Sequence, residues 1–440
     1  MRHNGDVSIN LKAISITLLT IFMITTWIYV AVFNSLFIQI VILVSILTIL
    51  LFNELIRKQK YFFEKTDMLL LLTIFVPLAS LNNSMLTTNE VAGPVIFSLG
   101  ILISFFVRGD VRNYNSSINL IKWGGVFFGL SVIFSYLFPV LYNNLFLSQL
   151  RPIFVERILI GMENGYYTGF TSQVGLTAGY IVNGIGIIFC SWIINRHGKS
   201  KKEILLFLIM FLALLLTQKR GHLLLMVLTI FFVYIQYSSF NYERFKKMFK
   251  AFYFSIFVIV FFIIITLLTN IGDTLFLRVI ATIEALFAGE DITSNRNTFW
   301  LFAWGLFVEN PLFGIGWGNF KDTVIGNVTV HTKMDVHNIY LQLLSETGIV
   351  GSMLILTPFF LTYFYTIKTT RMINRNKSKY SSKWEFAVLY SLYTQTFFLL
   401  YGLTGNPLYD YSYFIMYCLA FGLIYSFWNF NKKAVASEKV

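Results

Sequence analysis

Residues 203–238 read EILLFLIMFLALLLTQKRGHLLLMVLTIFFVYIQYS, two apolar runs separated by a short polar turn that carries Lys219 and Arg220. Runs of about 15 to 25 apolar residues are long enough to cross the ~30 Å hydrocarbon core of a bilayer as helices. Such runs recur along the whole chain. The pattern predicts an all-α, polytopic helical membrane protein with about 12 transmembrane helices.

Composition supports this class. The 440 residues are 56% hydrophobic and only 12% charged, and the mean hydropathy is +0.69. A soluble domain of this length would need more polar surface. The net charge of +13 does not indicate nucleic-acid binding, because the cations form short clusters between apolar runs, as membrane topology requires. Cys190 and Cys418 fall inside apolar runs, so neither a disulfide framework nor a cysteine metal site is expected.

The predicted spans follow the apolar runs, and the first is interpreted as a retained helix rather than a removed signal peptide because it is long enough to span. The twelve spans are 12–33, 36–56, 67–82, 91–107, 119–142, 174–194, 203–218, 221–238, 250–269, 347–369, 385–402 and 411–430.

The distribution of positive charge predicts the orientation. Of the 34 Lys and Arg residues, 26 fall on one side, together with both termini, and eight fall on the other. The positive-inside rule then places both termini in the cytoplasm. Three segments are predicted to be external: residues 143–173, the Thr217–Gly221 turn and the long loop 270–346.

The long loop divides the chain into an N-terminal bundle (1–269), the external loop (270–346) between helices 9 and 10, and the last three helices (347–440). The loop is too apolar and aromatic to be a disordered linker. Residues 274–288 and 298–308 show near-helical spacing, and the second carries two tryptophans, which favour the membrane interface. A glycine-rich stretch should end the second helix, and another helix should start near Val336.

Five arginines remain on the cation-poor external side and require an explanation. A guanidinium at the membrane surface can hold phosphate oxygens in a planar fork. The alternative for any single one is an interfacial anchor whose stem snorkels along apolar surface. The five are Arg151, Arg157, Arg220, Arg278 and Arg296.

His337 is the candidate general base, because a neutral imidazole can take a proton from a hydroxyl at neutral pH. The alternative is a histidine that starts a helix and bonds to backbone. A zinc site with His331 is rejected, since a six-residue spacing without cysteine matches no usual ligand pattern. The glycines at 314, 316 and 318 are not a phosphate loop, because no strand precedes them and no Gly-Lys-Ser/Thr follows.

Five motifs in order along the chain resemble a known family. They are Thr217–Gly221 with Arg220, Arg296 followed by Trp300 and Trp304, Asn310–Gly316, His337–Tyr340 and Glu346–Gly348. In this order they resemble the O-antigen ligase and Wzy-type polysaccharide polymerase superfamily, most densely over 292–351. Gly169–Gln173 is similar to the segment that commonly enters helix 6, with Ser172-Gln173 where the family has Pro-Asn. Lys219 stands where the family often has Ser.

The resemblance implies a GT-C-like membrane glycosyltransferase that moves a glycan from undecaprenyl diphosphate to an acceptor hydroxyl, without nucleotide sugar, metal or other cofactor. By this resemblance His337 deprotonates the acceptor, while Arg220 and Arg296 bind the diphosphate and stabilise it as a leaving group. Direct in-line attack predicts inversion at the anomeric carbon. A flippase and a chain-length regulator are the protein partners expected, and no nucleic acid is. The expected substrate-binding residues are Arg151, Arg157, Arg278, Asn338 and Gln173.

Three alternatives stay open. A ligase would transfer finished glycan to a lipid core or protein with the same motifs; the Phe-, Ile-, Asn- and Lys-rich composition indicates an AT-rich, Gram-positive source without a lipopolysaccharide acceptor, which favours the polymerase. A flippase or exporter of lipid-linked glycan would need a cation-lined central cavity and no His337. A purely structural membrane protein would not need the arginine-bearing aromatic loop. An ion-coupled transporter is disfavoured because the spans lack acids near their centres.

Overall fold

The computed structural model describes residues 10–57, 65–79, 88–194, 200–238, 296–323 and 335–437. Within these ranges the chain forms helices and turns and no strand, so the all-α prediction is confirmed. The predicted ninth span (250–269), the predicted loop helix (274–288) and Arg278 lie outside the described residues.

The α-helices are numbered here in chain order over the described ranges. They are α1 Leu11–Ala31, α2 Leu36–Arg57, α3 Lys65–Leu72, α4 Phe75–Ala79, α5 Thr88–Phe106, α6 Asn115–Leu137, α7 Pro139–Leu145, α8 Pro152–Glu163, α9 Val174–Ile194, α10 Lys201–Leu216, α11 Arg220–Tyr237, α12 Arg296–Glu309, α13 Ile339–Arg375, α14 Ser382–Tyr401 and α15 Tyr411–Ser437.

Seven stretches among the described residues are helices long and apolar enough to cross a membrane, and they coincide with α1, α2, α6, α9, α11, α13 and α15. Two shorter apolar helical stretches cover Thr66–Ala79 and Val91–Phe106. The chain is therefore a polytopic helical membrane protein, as the hydropathy pattern predicts, while the figure of twelve spans stays a prediction.

In three predicted spans, proline or glycine explains how the observed helices differ from the prediction. The span 67–82 is divided into α3 and α4, because Pro77 has no N–H to donate to the carbonyl of Thr73, four residues earlier. The span 119–142 ends at Leu137, where Pro139 begins α7. The span 347–369 already begins at Ile339, because α13 continues through a kink at Gly348.

The centre of the bundle is formed by α9, α14 and α15. Every residue of α14 from Ala387 to Leu399 is buried. Its polar side chains bond across to the neighbours: the Tyr393 hydroxyl donates to the carbonyl of Val182 in α9 at 2.9 Å, and Ser391 donates to Ala420 in α15 at 2.6 Å. Such interhelical hydrogen bonds are the usual way a membrane bundle satisfies buried polar groups. They hold α14 against α9 and α15, and the turn that connects α14 with α15 carries part of the candidate site.

At one end of the bundle a buried ion pair joins three helical segments. Arg108, which follows α5, donates to both carboxylate oxygens of Asp67 in α3, at 3.0 and 2.7 Å. Its guanidinium lies 3.8 Å from the ring centre of Tyr425 in α15. The predicted position of the acids at span ends is thus confirmed for Asp67, where the acid is paired with an arginine.

Candidate active site

The turn between α10 and α11 carries two cations. Gln218 adopts a left-handed backbone conformation with φ of 51°, and its side-chain amide donates to the carbonyl of Gly165 at 2.8 Å. The Tyr167 amide donates to the carbonyl of Leu216 at 3.3 Å. The segment 165–167 thereby fixes the turn. Beyond it stand Lys219, partly exposed, and Arg220, which is exposed and begins α11.

Helix α12 carries Arg296 at its first position, which confirms the helix predicted over 298–308. The indole N–H of Trp300 donates to the carbonyl of Val336 at 3.2 Å. Ala303 and Leu306 are buried against Phe320 and Val336. This face of α12 therefore packs against the segment that leads into α13, and it places Arg296 on the same side of the protein as that segment.

His337 lies in a short segment that is bonded on both sides. The amide of Val336, a fully buried residue, donates to the side-chain oxygen of Gln342 at 3.2 Å. The amide of Ile339 donates to the carbonyl of Gly402 at 2.8 Å. His337 itself has φ of 55°, a conformation that costs a residue with a Cβ atom energy and that is retained mainly at functional sites.

The turn between α14 and α15 brings these segments together. A guanidinium nitrogen of Arg296 (Nη1) donates to the carbonyl of Thr404 at 3.1 Å, two residues beyond the Gly402 carbonyl that binds Ile339. A side chain on Gly221, next to Arg220, would come within 3.9 Å of the Thr404 hydroxyl. Three motifs that are far apart in sequence thus converge on one turn of backbone.

The charges around His337 favour its neutral form. Burial lowers the pKa of the imidazole, and the positive charge of Arg296 lowers it further, against the opposing effect of Asp335. Lys219 and Lys321 add smaller effects in the same direction as Arg296. The pKa of Lys219 is lowered as well, first by burial and then by Arg296. A neutral imidazole within the field of several cations can accept a proton while an anion is held beside it.

The glycine-rich segment after α12 pairs with a kink in α13, backbone to backbone. The amide of Ile315 donates to the carbonyl of Ser345 at 3.0 Å, and that of Gly316 donates to Glu346 at 2.8 Å. At Gly348 the helix is interrupted by φ of 62° and ψ of −170°. The glycine-rich stretch therefore follows the end of α12, as predicted, and its backbone pairs with the Glu346–Gly348 motif.

Glu346 is fully buried and anchors this pairing. One carboxylate oxygen accepts from the amide of Gly318 at 2.8 Å and from the hydroxyl of Tyr409. The other accepts from the side-chain amide of Gln342 at 3.1 Å. A buried carboxylate with this many donors is satisfied, so Glu346 holds the glycine turn and the α14–α15 turn against α13.

Two of the predicted substrate-binding arginines, Arg151 immediately before α8 and Arg157 within it, do not join this cluster. Arg151 donates to the side chain of Asn34 at 2.5 Å and to the carbonyl of Val30 at 3.3 Å, which ties the start of α8 to the end of α1. Arg157 is exposed on α8. The contacts of Arg151 are those of a structural anchor.

The other predicted substrate-binding residues have separate surroundings. The side-chain oxygen of Asn338 accepts from the amides of Tyr340 and Leu341, at 3.0 and 3.2 Å, and so caps α13. Gln173 is exposed immediately before α9.

Two features of the site are missed by sequence reasoning. From the sequence Lys219 is one more external cation, yet burial and the charge of Arg296 lower its pKa, and its own charge lowers the pKa of His337. The sequence of the α14–α15 turn predicts only a connection between two helices, yet its carbonyls accept hydrogen bonds from Arg296 and Ile339. The only signal for the turn is its short polar sequence, Thr404–Pro407, between two apolar runs.

Over the described ranges no three of His, Cys, Asp and Glu come close enough to hold a metal ion. One of the nearby acids, Asp335, is paired with Lys321 at 3.0 Å. His331, weighed for zinc with His337, lies outside those ranges.

A family model described as O-antigen ligase matches residues 205–356, about a third of the chain. The matched range contains the α10–α11 turn, Arg296, His337 and the Glu346–Gly348 motif. The resemblance to the O-antigen ligase and Wzy superfamily is thereby confirmed over this range, and it supports a role in polysaccharide assembly. No curated protein matches the chain.

Proposed function

We propose that the protein is a membrane glycosyltransferase that polymerises repeat units of a surface polysaccharide such as O-antigen, capsule or exopolysaccharide. Its donor is a glycan on undecaprenyl diphosphate, and its acceptor is a sugar hydroxyl on the external face. The observation that carries the proposal is the position of His337: partly exposed, shifted toward its neutral form and within the field of Arg296 and Lys219.

In the proposed step His337 accepts the proton of the acceptor hydroxyl while the hydroxyl oxygen attacks the anomeric carbon. The bond from that carbon to the phosphate oxygen breaks, and its electron pair leaves with the diphosphate. In-line attack inverts the anomeric centre. Charge builds on the diphosphate as the bond breaks, and cations placed beforehand stabilise that charge without reorganisation.

We assign this stabilising role to Arg296, Arg220 and Lys219. Guanidinium groups bind phosphate oxygens in a planar fork, whereas a lysine acts as a point charge. Arg296 is oriented by the Thr404 carbonyl. Burial and Arg296 lower the pKa of Lys219, and a bound diphosphate anion would oppose this shift by favouring the charged amine. A set of such cations can take the part that a divalent metal plays in other transferases.

An apolar groove supports a lipid-linked donor. It has a volume of about 330 Å³, runs along α13 from Tyr340 to Phe364, and is lined by Leu344, Leu356 and Phe360 among others. The groove begins three residues after His337. Isoprene units lying there would keep the diphosphate next to the candidate base.

We further propose a multi-pass protein of the bacterial plasma (inner) membrane with cytoplasmic termini, in which 270–346 is the external catalytic loop between two transmembrane units. A flippase that delivers lipid-linked repeat units and a chain-length regulator are the partners this role requires.

The description of the matching family favours a second candidate, a ligase that transfers finished glycan to a lipid core or protein. The chemistry at His337 is the same for both enzymes, and only the acceptor differs. The acceptor used by the purified protein therefore separates them.

The test is transfer by the purified full chain, reconstituted with an undecaprenyl-diphosphate-linked oligosaccharide. A polymerase extends the carrier-linked glycan into a ladder, and His337→Ala abolishes the ladder at normal expression. Transfer to an added lipid core or protein without a ladder would favour the ligase. If His337→Ala leaves the ladder unchanged, the general-base role is wrong; if wild type only moves lipid-linked glycan across the bilayer, it is a flippase.

A further inference from the structure

The side-chain amide of Gln342, in the first turn of α13, is fully buried and bonded on every side. Its oxygen accepts from the amide of Val336 at 3.2 Å and from the side-chain amide of Asn406. Its nitrogen donates to Glu346 at 3.1 Å and to Asp335 at 3.4 Å. A carboxamide has two acceptor positions and two donors, so its full capacity is used.

These bonds meet at the segment that precedes His337. Asp335 and Val336 are held by Gln342 on one side, and Ile339 is held by the Gly402 carbonyl on the other. Between them His337 has φ of 55°. This backbone conformation is uncommon for a residue with a Cβ atom, and on its N-terminal side the neighbouring amide of Val336 is bonded to the buried side chain of Gln342.

We propose that Gln342 is a positioning residue, whose amide holds the carboxylate of Asp335 and the backbone N–H of Val336 and so keeps the His337 ring beside Arg296 and Lys219. The catalytic consequence rests on the proposed function, because it treats His337 as the base. The structural consequence does not depend on the proposed function, since the position of the His337 ring can be measured without any transfer reaction.

If Gln342 only stabilised the fold, replacing it would have the same effect on His337 as replacing any other buried amide side chain. Gln395 in α14 provides the comparison: it is equally buried, and its nitrogen donates to Thr366 and Ser391, each at 3.0 Å. These partners belong to the interior of the bundle. Gln395→Met therefore removes a buried amide without touching the segment around His337.

The first measurement is acylation of His337 by diethyl pyrocarbonate in the full-length protein in nanodiscs, followed by peptide mass spectrometry as pH is varied. The reagent acylates the neutral imidazole, so the midpoint of rate against pH reports the pKa of His337. Wild type and Gln395→Met should share a midpoint below 6.5. In Gln342→Met the midpoint should move up toward 6.5, because the released ring becomes more exposed to water and leaves the cations.

His222 is the internal control for folding, because it is buried and bonds to the Tyr413 hydroxyl at 2.7 Å. It should stay unmodified in every folded variant. If Gln342→Met exposes His222, the variant Gln342→Asn is used instead. The asparagine side chain keeps an amide but is one methylene too short to reach Val336, so the His337 midpoint should still rise in this variant. An unchanged His337 midpoint in a folded Gln342 variant overturns the proposal.

The second measurement is glycan transfer. Gln342→Met should lower kcat about tenfold or more and leave KM for the lipid-linked donor within about threefold, because the cations that bind the diphosphate remain. Gln395→Met should retain wild-type kcat. If the His337 midpoint shifts while kcat stays the same, the positioning role in catalysis is overturned. If wild type transfers no glycan although its midpoints behave as expected, the proposed function fails and the structural assignment of Gln342 stands.

Discussion

Gly314 and Gly348 pack backbone against backbone, and neither position has room for a side chain. A Cβ atom on Gly314 would lie 2.5 Å from the amide nitrogen of Thr347, and one on Gly348 would lie 2.5 Å from that of Phe313. Both glycines have positive φ, 68° and 62°. The two motifs, which are independent in sequence, form one joint between the loop after α12 and the kink of α13.

Gly348→Ala should destabilise the protein by about 2 kcal/mol or more, since it adds strain at positive φ to overpacking of a closed joint. The readout is the Tm of the purified protein in nanodiscs. Gly305→Ala is the matched control: Gly305 lies inside α12 with nothing within 4 Å of a Cβ, so this change should leave Tm equal or slightly higher. Equal melting of Gly348→Ala and wild type would show that the joint tolerates a side chain.

The acid limb of the pH–activity profile should respond to the charges around His337. Lys219 lowers the pKa of His337 and Asp335 raises it. Because the base acts in its neutral form, activity rises with pH through this pKa. Lys219→Gln should therefore move the limb to higher pH, and Asp335→Asn should move it to lower pH. Profiles of kcat/KM against pH measure both shifts. Movement of both variants in the same direction would contradict the assignment of His337 as the titrating base.

Arg296 should matter for its guanidinium geometry as well as its charge. Arg296→Ala should lower kcat about 10²–10³-fold, the usual effect of losing one preorganised group that stabilises developing charge. Arg296→Lys should recover part of the loss, because the charge remains and the fork is lost. The control is Arg371→Ala at the opposite end of α13, where Arg371 donates to Gln236 at 2.8 Å; transfer should continue at the wild-type rate. Full activity in Arg296→Ala would exclude this role.

Two arginine–aspartate pairs with opposite exposure should differ in their contribution to stability. Arg108 and Asp67 are 3% and 0% exposed, whereas Arg112 and Asp110 are 74% and 42% exposed. Arg108→Ala removes the cation that is paired with a buried carboxylate and should cost about 3–5 kcal/mol. Arg112→Ala should leave the Tm unchanged within error, because water screens exposed pairs. Thermal melting of both variants tests this. A similar decrease in Tm for Arg108→Ala and Arg112→Ala would contradict the expected difference between the buried and the exposed pair.

The sequence predicted most helices because a membrane span needs only local information. A run of apolar residues must form a helix in lipid, whatever it packs against. The predicted helix bounds were wrong near proline and glycine. Pro77 and Pro139 interrupt apolar runs that hydropathy alone treats as continuous helices, and the span predicted to start at 347 is the continuation of α13 beyond a kink at Gly348.

His337 and Arg296 were predicted from the sequence as reactive groups because their chemistry belongs to the residue type. Their proximity depends on hydrogen bonds between segments far apart in the chain, such as Arg296 to Thr404 and Ile339 to Gly402. No local pattern encodes which carbonyl will receive a given donor. The sequence by itself thus determined an all-helical membrane protein and the groups able to do chemistry. Only the tertiary structure decided that the charge of Lys219 acts on His337, that Arg151 bonds to Asn34 and that buried Gln342 and Glu346 bond to the segments around them, because burial and hydrogen-bond partners follow from packing.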